Sequence, residues 1–209
     1  MDREFVRHWV LMNFLGAGLG GLFGPLGTEC LRWFATESPG IATQLPGTVV
    51  IATMGLLGLL EGGVLGILQA RALRKRVSSL VVWRWTLATG WGFLWGWVLN
   101  ALTSAGPSAA APSVAWIWVT LATNGMLLGV CVGGAQAWLL RDRIKQPLRW
   151  MALNTLGWMA ALTAQHVGQN FLPPGLEGPL WILAAAATSS IGGFILGALT
   201  GPWLDQTTR

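Results

Sequence analysis

Charge is scarce in this sequence. Asp, Glu, Lys and Arg make up 10% of the 209 residues, where a soluble domain carries about 25%, so there is too little charge to solvate a globular surface. Cysteine is nearly absent as well. Cys30 and Cys131 are the only two, which excludes a disulfide framework and leaves both expected as free thiols, the first in an outer loop and the second inside an apolar run. Tyrosine does not occur. Also missing are a nucleophile with its base, a His-Glu-x-x-His pair, a phosphate-cradling loop and a cysteine cluster, so the chain is not expected to be an enzyme. The start, MDREFVRHW, mixes acidic with basic residues and no small-residue cleavage site follows. The first apolar run is therefore expected to be retained rather than removed as a signal peptide.

Long apolar runs are what the sequence has instead. They cover about residues 5–24, 48–70, 82–101, 115–140, 150–171 and 180–201. Each reaches the ~17–20 residues that carry a helix across the hydrocarbon, and none alternates as a barrel strand does. The expected fold class is all-α: a polytopic membrane protein of six transmembrane helices, one domain over residues 1–209, with the lipid bilayer as its first partner. The net charge of +5 is placed to orient the chain rather than to bind nucleic acid. Arg3, Arg7, Arg71, Arg74, Lys75, Arg76, Arg84, Arg141, Arg143, Lys145, Arg149 and Arg209 fall on one side of six spans, and Arg32 alone on the other. This positive-inside pattern puts both termini in the cytoplasm of a bacterial inner membrane, or on the stromal side of a thylakoid membrane.

VLGILQARALRKR at 64–76 returns as CVGGAQAWLLRDR at 131–143. Sliding the chain by 67 residues aligns 53–91 with 120–158 at thirteen identities in thirty-nine positions, among them Gln69 with Gln136, Trp83 with Trp150, and Gly90-Trp91 with Gly157-Trp158. Span one echoes span five through Trp9, Asn13 and Gly16 against Trp150, Asn154 and Gly157. Span six resembles the ends of spans two and four, with Thr200 or Leu204 in place of the glutamine and Asp205 in place of the arginine. The chain therefore reads as three repeated helix hairpins, about 5–75, 76–143 and 144–209. Doubled G-x-x-x-G stripes at Gly58/62/66, Gly125/129/133, Gly193/197/201 and Gly16/20/24 are expected to let helix backbones approach. Gln69 and Gln136 continue those stripes, either as hydrogen-bonding glue or as part of a ligand site.

Glu61 is the one carboxylate inside an expected span, ten residues before Arg71, or roughly 15 Å along the helix. A carboxylate at that depth costs ~2.5–3.5 kcal/mol unless protonated or paired, so it is a site candidate by default. Candidate partners are Asn13, Asn124, Asn154 and His166. Glu61, Asn124, Gln69 and Gln136 are thus the candidates for a ligand or proton site. His166, near the outer end of span five, and the deeper Trp91, Trp95 and Trp158 are candidates for contact with pigment or lipid. Trp83, Trp85, Trp116, Trp118, Trp138, Trp150, Trp181 and Trp203 fall near span ends, where an interfacial aromatic belt is expected. Among the outer connections, LGTECLRWFATE reads as a short interfacial helix with Leu31, Trp33 and Phe34 on its apolar face.

The pattern Gly66-Gln69-Leu73-Arg74-Trp83-Gly90-Trp91, repeated from Gly133 to Trp158, resembles uncharacterised bacterial, particularly cyanobacterial, membrane proteins. That resemblance implies a photosynthetic or thylakoid setting and carries over no site residues. Two functions are open. One is an accessory or assembly subunit of a larger membrane complex that holds chlorophyll, carotenoid or lipid. The other is a small-solute transporter or its substrate-binding component, since six short-looped spans also resemble the membrane components of vitamin importers.

Overall fold

The computed structural model describes residues 2–27, 29–30, 47–104, 113–173 and 175–207. Among them the chain forms six helices and no strand: α1 (Arg3–Gly20), α2 (Gly47–Leu73), α3 (Val82–Ser104), α4 (Val114–Leu140), α5 (Pro147–Asn170) and α6 (Gly178–Thr207). After a turn at Gly21 and Leu22 the helical path of α1 resumes to Gly27. Four helices, α1 with its continuation, α2, α4 and α6, are long and apolar enough to cross a membrane. The other two, α3 and α5, have 23 and 24 residues, about 35 Å of helix, but tryptophan, amide and hydroxyl groups dilute their apolar content. The interfacial helix expected at Leu31, Trp33 and Phe34 lies outside the described residues.

Local sequence sets the helix ends. The Asp2 carboxylate accepts from the Glu4 and Phe5 amides at 3.0 and 3.1 Å and caps α1, and Ser113 caps α4 through the Trp116 amide at 3.2 Å. Pro147, which has no amide hydrogen to lose, opens α5. Between α5 and α6, Gly175 and Gly178 adopt φ of 79° and 61°, a region that strains any side chain, and this lets the Pro/Gly-rich connection reverse the chain.

Each helix packs on its neighbours in sequence, and α6 returns to pack on α1, so the six close into a ring. The most extensive contacts alternate around it: α2 with α3, α4 with α5, and α6 with α1. Glycine is the reason. A Cβ placed on Gly66 would stand 3.0 Å from Thr86 Cα, one on Gly133 3.1 Å from Met151 Cα, and one on Gly197 2.9 Å from Val10 Cα. Backbone meets backbone at all three, which is how helices gain dispersion contacts in lipid, where no hydrophobic effect draws them together.

Those three contacts also fix which positions correspond. Gly66, Gly133 and Gly197 are equivalent, so Gln69 and Gln136 correspond to Thr200 and not to Leu204. On the partner helices Thr86, Met151 and Val10 are equivalent, so Trp85, Trp150 and Trp9 correspond. The ungapped alignment instead pairs Trp83 with Trp150, and Gly90-Trp91 with Gly157-Trp158. In the structure Trp85, Gly92 and Phe93 hold those places, because the turn from α2 to α3 is two residues longer than that from α4 to α5.

Trp9, Trp85 and Trp150 are completely buried. Trp150 lies against Trp9, Trp85 and Trp203, with ring centroids 6.1, 6.3 and 5.8 Å apart. Trp85, Trp150 and Trp203 are therefore not part of an interfacial belt: a ring of six helices leaves an axis to fill at its arginine-rich end, and indoles fill it. Trp83, Trp116 and Trp138 do face outward, at 59%, 62% and 65% exposure. Below the indoles Arg76, from the α2–α3 turn, pairs with Asp2 and with Asp205 at 3.0 Å. Its guanidinium lies 5.1 Å from the centre of the Phe5 ring. The Asp2 amide donates to Asp205 at 2.8 Å, so one arginine clasps the start of α1 and the end of α6 together.

Candidate functional site

Above the indoles lies a layer of amides and hydroxyls. The Gln69 amide donates to Asn13 Oδ1 at 2.8 Å, and Gln136 donates to Gln69 Oε1 and to Thr89 Oγ1, both at 2.9 Å. The Trp85 indole donates to Gln69 Oε1 at 3.3 Å, and the Trp9 indole to Thr200 Oγ1 at 2.9 Å. Asn13, Thr89 and Asn154 occupy equivalent places, and Asn13 and Asn154 each donate back to the tryptophan carbonyl one turn earlier. In the α4–α5 pair Trp150 Nε1 and Gln136 Oε1 are buried without a partner. Gln69 and Gln136 are therefore joined to each other as packing glue, and neither lines the cavity above them.

The next layer is apolar. Leu65, Phe93, Val132, Trp158 and Leu196 form a buried cluster in which Phe93 meets Trp158 edge-on with centroids 5.1 Å apart. This is the floor of a cavity of about 490 Å³ in the half of the ring away from the arginines. Every helix contributes to its wall: α1 and its continuation with Ala17, Gly21, Gly24 and Pro25, α2 with Met54 and Glu61, α3 with Trp97, Asn100 and Ala101, α4 with Leu121, Asn124 and Leu128, α5 with Trp158, Leu162, Gln165, His166 and Gln169, and α6 with Trp181, Ser189 and Gly192.

The correspondence between helix pairs explains why a void exists here. Eight residues before Gln69, Gln136 and Thr200 stand Glu61, Leu128 and Gly192. Twelve after Trp85, Trp150 and Trp9 stand Trp97, Leu162 and Gly21, and fifteen after them Asn100, Gln165 and Gly24. All nine line the cavity. The α2–α3 and α4–α5 pairs put large or polar groups at these heights, and the α6–α1 pair puts glycine at every one. Gly21 packs against Ser189 and Gly192 against Ala161, but at Gly24 a Cβ would meet none of the described residues within 4 Å, and there the missing side chain is space.

Glu61 is hydrogen-bonded within this cavity: the Trp97 indole donates to its Oε2 at 3.1 Å. Asn100 Oδ1 is buried without a partner. The Gln165 amide donates to Ser189 Oγ at 3.0 Å, and His166 meets the edge of Trp118 with centroids 6.3 Å apart. Of the sequence candidates, Glu61, Asn124, His166 and Trp158 come together here. Asn13 and Asn154 do not reach Glu61 and belong to the amide layer. Trp91 and Trp95 lie on the outer face of α3, 56% and 46% exposed. Their rings meet edge-to-face at 6.3 Å. Sequence reasoning missed Trp97, Asn100 and Gln165; their signal was a common distance from the core tryptophans, which becomes readable once the two-residue shift in α3 is known.

No protein-family model, curated protein or solved structure matches this chain. The site's own chemistry therefore carries the functional argument. Among the described residues it offers one carboxylate, several side-chain amides and three indoles around a space the size of a small organic ligand, closed toward the arginine end by an apolar floor, the amide layer and the indoles.

Proposed function

We propose that the protein is a six-span membrane protein, three repeated helix pairs with both termini on the cytoplasmic side, and that it binds a small solute entering its cavity from the outer side. Of the two functions open from the sequence, this is the substrate-binding component of a small-solute transporter. The carrying observation is the cavity itself. Pockets of roughly 300–1,000 Å³ with apolar walls and a few convergent polar groups are where proteins hold small molecules. A void among packed helices forfeits contacts, and a carboxylate there adds its own cost; an accessory subunit working through its outer surface needs neither. The closed floor favours binding from one side over a continuous channel, so translocation falls to partner membrane subunits.

The experiment is a small-molecule screen by thermal shift on the purified chain, repeated on Gly24→Leu. The side chain added at Gly24 projects into the cavity without touching the helix seams, so the variant should fold with an unchanged midpoint. Ligands that stabilise the wild type should lose their effect in it. Ligands that stabilise both proteins equally would place binding elsewhere. The accessory-subunit reading has its own support in the outward Trp91 and Trp95. It predicts a purified protein with a visible absorption band or a native mass above that of the chain, and no dependence on Gly24.

A further inference from the structure

We propose that the ligand of this cavity is an organic monocation, a protonated amine carrying an apolar or aromatic body; this rests on the reading of the cavity as a binding site. Among the described residues the wall contains one carboxylate, Glu61, and neither lysine nor arginine. The clasping Arg76 lies beyond the floor, the amide layer and the indoles. An anionic ligand would meet Glu61 with no compensating cation, whereas a cation supplies the charge that a carboxylate at this depth lacks.

Hydrogen bonding points the same way. Trp97 occupies Glu61 Oε2 and leaves the lone pairs of Oε1 available, while Asn100 Oδ1 is buried and unpartnered. Glu61 Oε1 and Asn100 Oδ1 call for N–H or O–H donors on the ligand, and the one unpartnered donor of the wall, Trp158 Nε1, leaves room for a single acceptor. An ammonium brings both charge and donors, and an N–H bond to a carboxylate is among the stronger hydrogen bonds available. The indoles of Trp97, Trp158 and Trp181 line the same space, and an indole face attracts a cation within about 6 Å of its centre.

An inorganic cation fits less well. Calcium takes six to eight oxygen ligands, but the nearest partner of the Glu61 carboxylate is an indole N–H and the equivalent positions hold Leu128 and Gly192. A volume of about 490 Å³ is far more than a bare ion or a proton requires. The two equivalent positions also show that the scaffold does not need an acid here. Glu61 is an addition to the repeat, made beside a cavity that Gly24 of the third pair leaves open.

The test is isothermal titration of the full chain in nanodiscs with three matched probes: 2-phenylethylammonium, the neutral 2-phenylethanol and the anionic 3-phenylpropionate. A series of longer alkylammonium ions and sodium chloride alone complete the set. The ammonium probes should bind at least about tenfold more tightly than the neutral one, the anion should not bind, and sodium should not compete. Glu61→Gln keeps the acceptor for Trp97 and should abolish that preference while sparing any binding of the neutral probe. Neutral or anionic binding equal to that of the ammonium, or an ammonium preference that survives Glu61→Gln, would overturn the assigned charge and leave the binding cavity standing. Sodium alone displacing the probes would overturn it in favour of an inorganic ion. If no probe binds, or if binding survives Gly24→Leu, the cavity reading falls and the proposal with it.

Discussion

Gly129→Leu should be strongly destabilising, lowering the thermal midpoint in detergent by far more than Gly63→Leu. A Cβ alone on Gly129 already reaches the backbone of α5, with Asn154 O 3.0 Å away and Thr155 Cα nearer still. Backbone cannot rotate aside as a side chain can, so α4 and α5 must separate. Overpacking of a tight seam costs about 1–3 kcal/mol even where neighbours are side chains, and this seam is backbone, so the loss should lie at or above the top of that range. Gly63 is the control, since a Cβ there meets nothing within 4 Å and glycine to leucine in a helix is otherwise favourable by a few tenths of a kcal/mol or more. Equal midpoints for the two variants would show that the glycine stripes are not the seams of the fold.

The second large effect is expected from Arg76→Met. Asp205 is fully buried, and Arg76 pairs with it at 3.0 Å while also pairing with Asp2. Removing the guanidinium takes a charged partner from each of the two carboxylates at the junction of α1 and α6. Breaking a buried pair by deleting one partner costs about 3–5 kcal/mol. Asp2 is 41% exposed, so solvent screens part of the loss and the lower end applies. Asp205→Asn in the Arg76→Met background should recover most of the stability. In a double-mutant cycle on thermal or denaturant unfolding, the two changes together should cost clearly less than the sum of the single changes. Strict additivity would mean that the clasp contributes nothing beyond its separate parts.

Much of this scaffold was legible from the chain. The glycine spacing located the seams, and Gln69 and Gln136 at the same helical angle belonged to them. What could not be read was the height of α3 against its neighbours. An ungapped match cannot see that one turn is two residues longer, so Trp83 stood where Trp85 belongs and the core tryptophans were assigned to the interface. The cavity was hidden for a different reason. Gly24 is the same residue type as the seam glycines, and a glycine whose neighbour is backbone cannot be told from one that faces open space until α6 is seen to close on α1. Glu61 drew attention by charge alone. Its partner Trp97 lies on another helix at a register that only the closed ring defines.

The central claim is a cavity reached from the outer side and closed toward the arginine side. With Cys30 and Cys131 replaced by serine, Leu162→Cys places a thiol in the cavity wall and Ala137→Cys places one in the buried core at the arginine end. A membrane-impermeant methanethiosulfonate added in turn to each face of sealed vesicles of known orientation reads their access. Leu162→Cys should be modified from the outer face alone, more slowly once a bound amine occupies the cavity, and Ala137→Cys from neither. A Leu162→Cys thiol untouched from the outer face, or modified equally fast from the inner one, would contradict it.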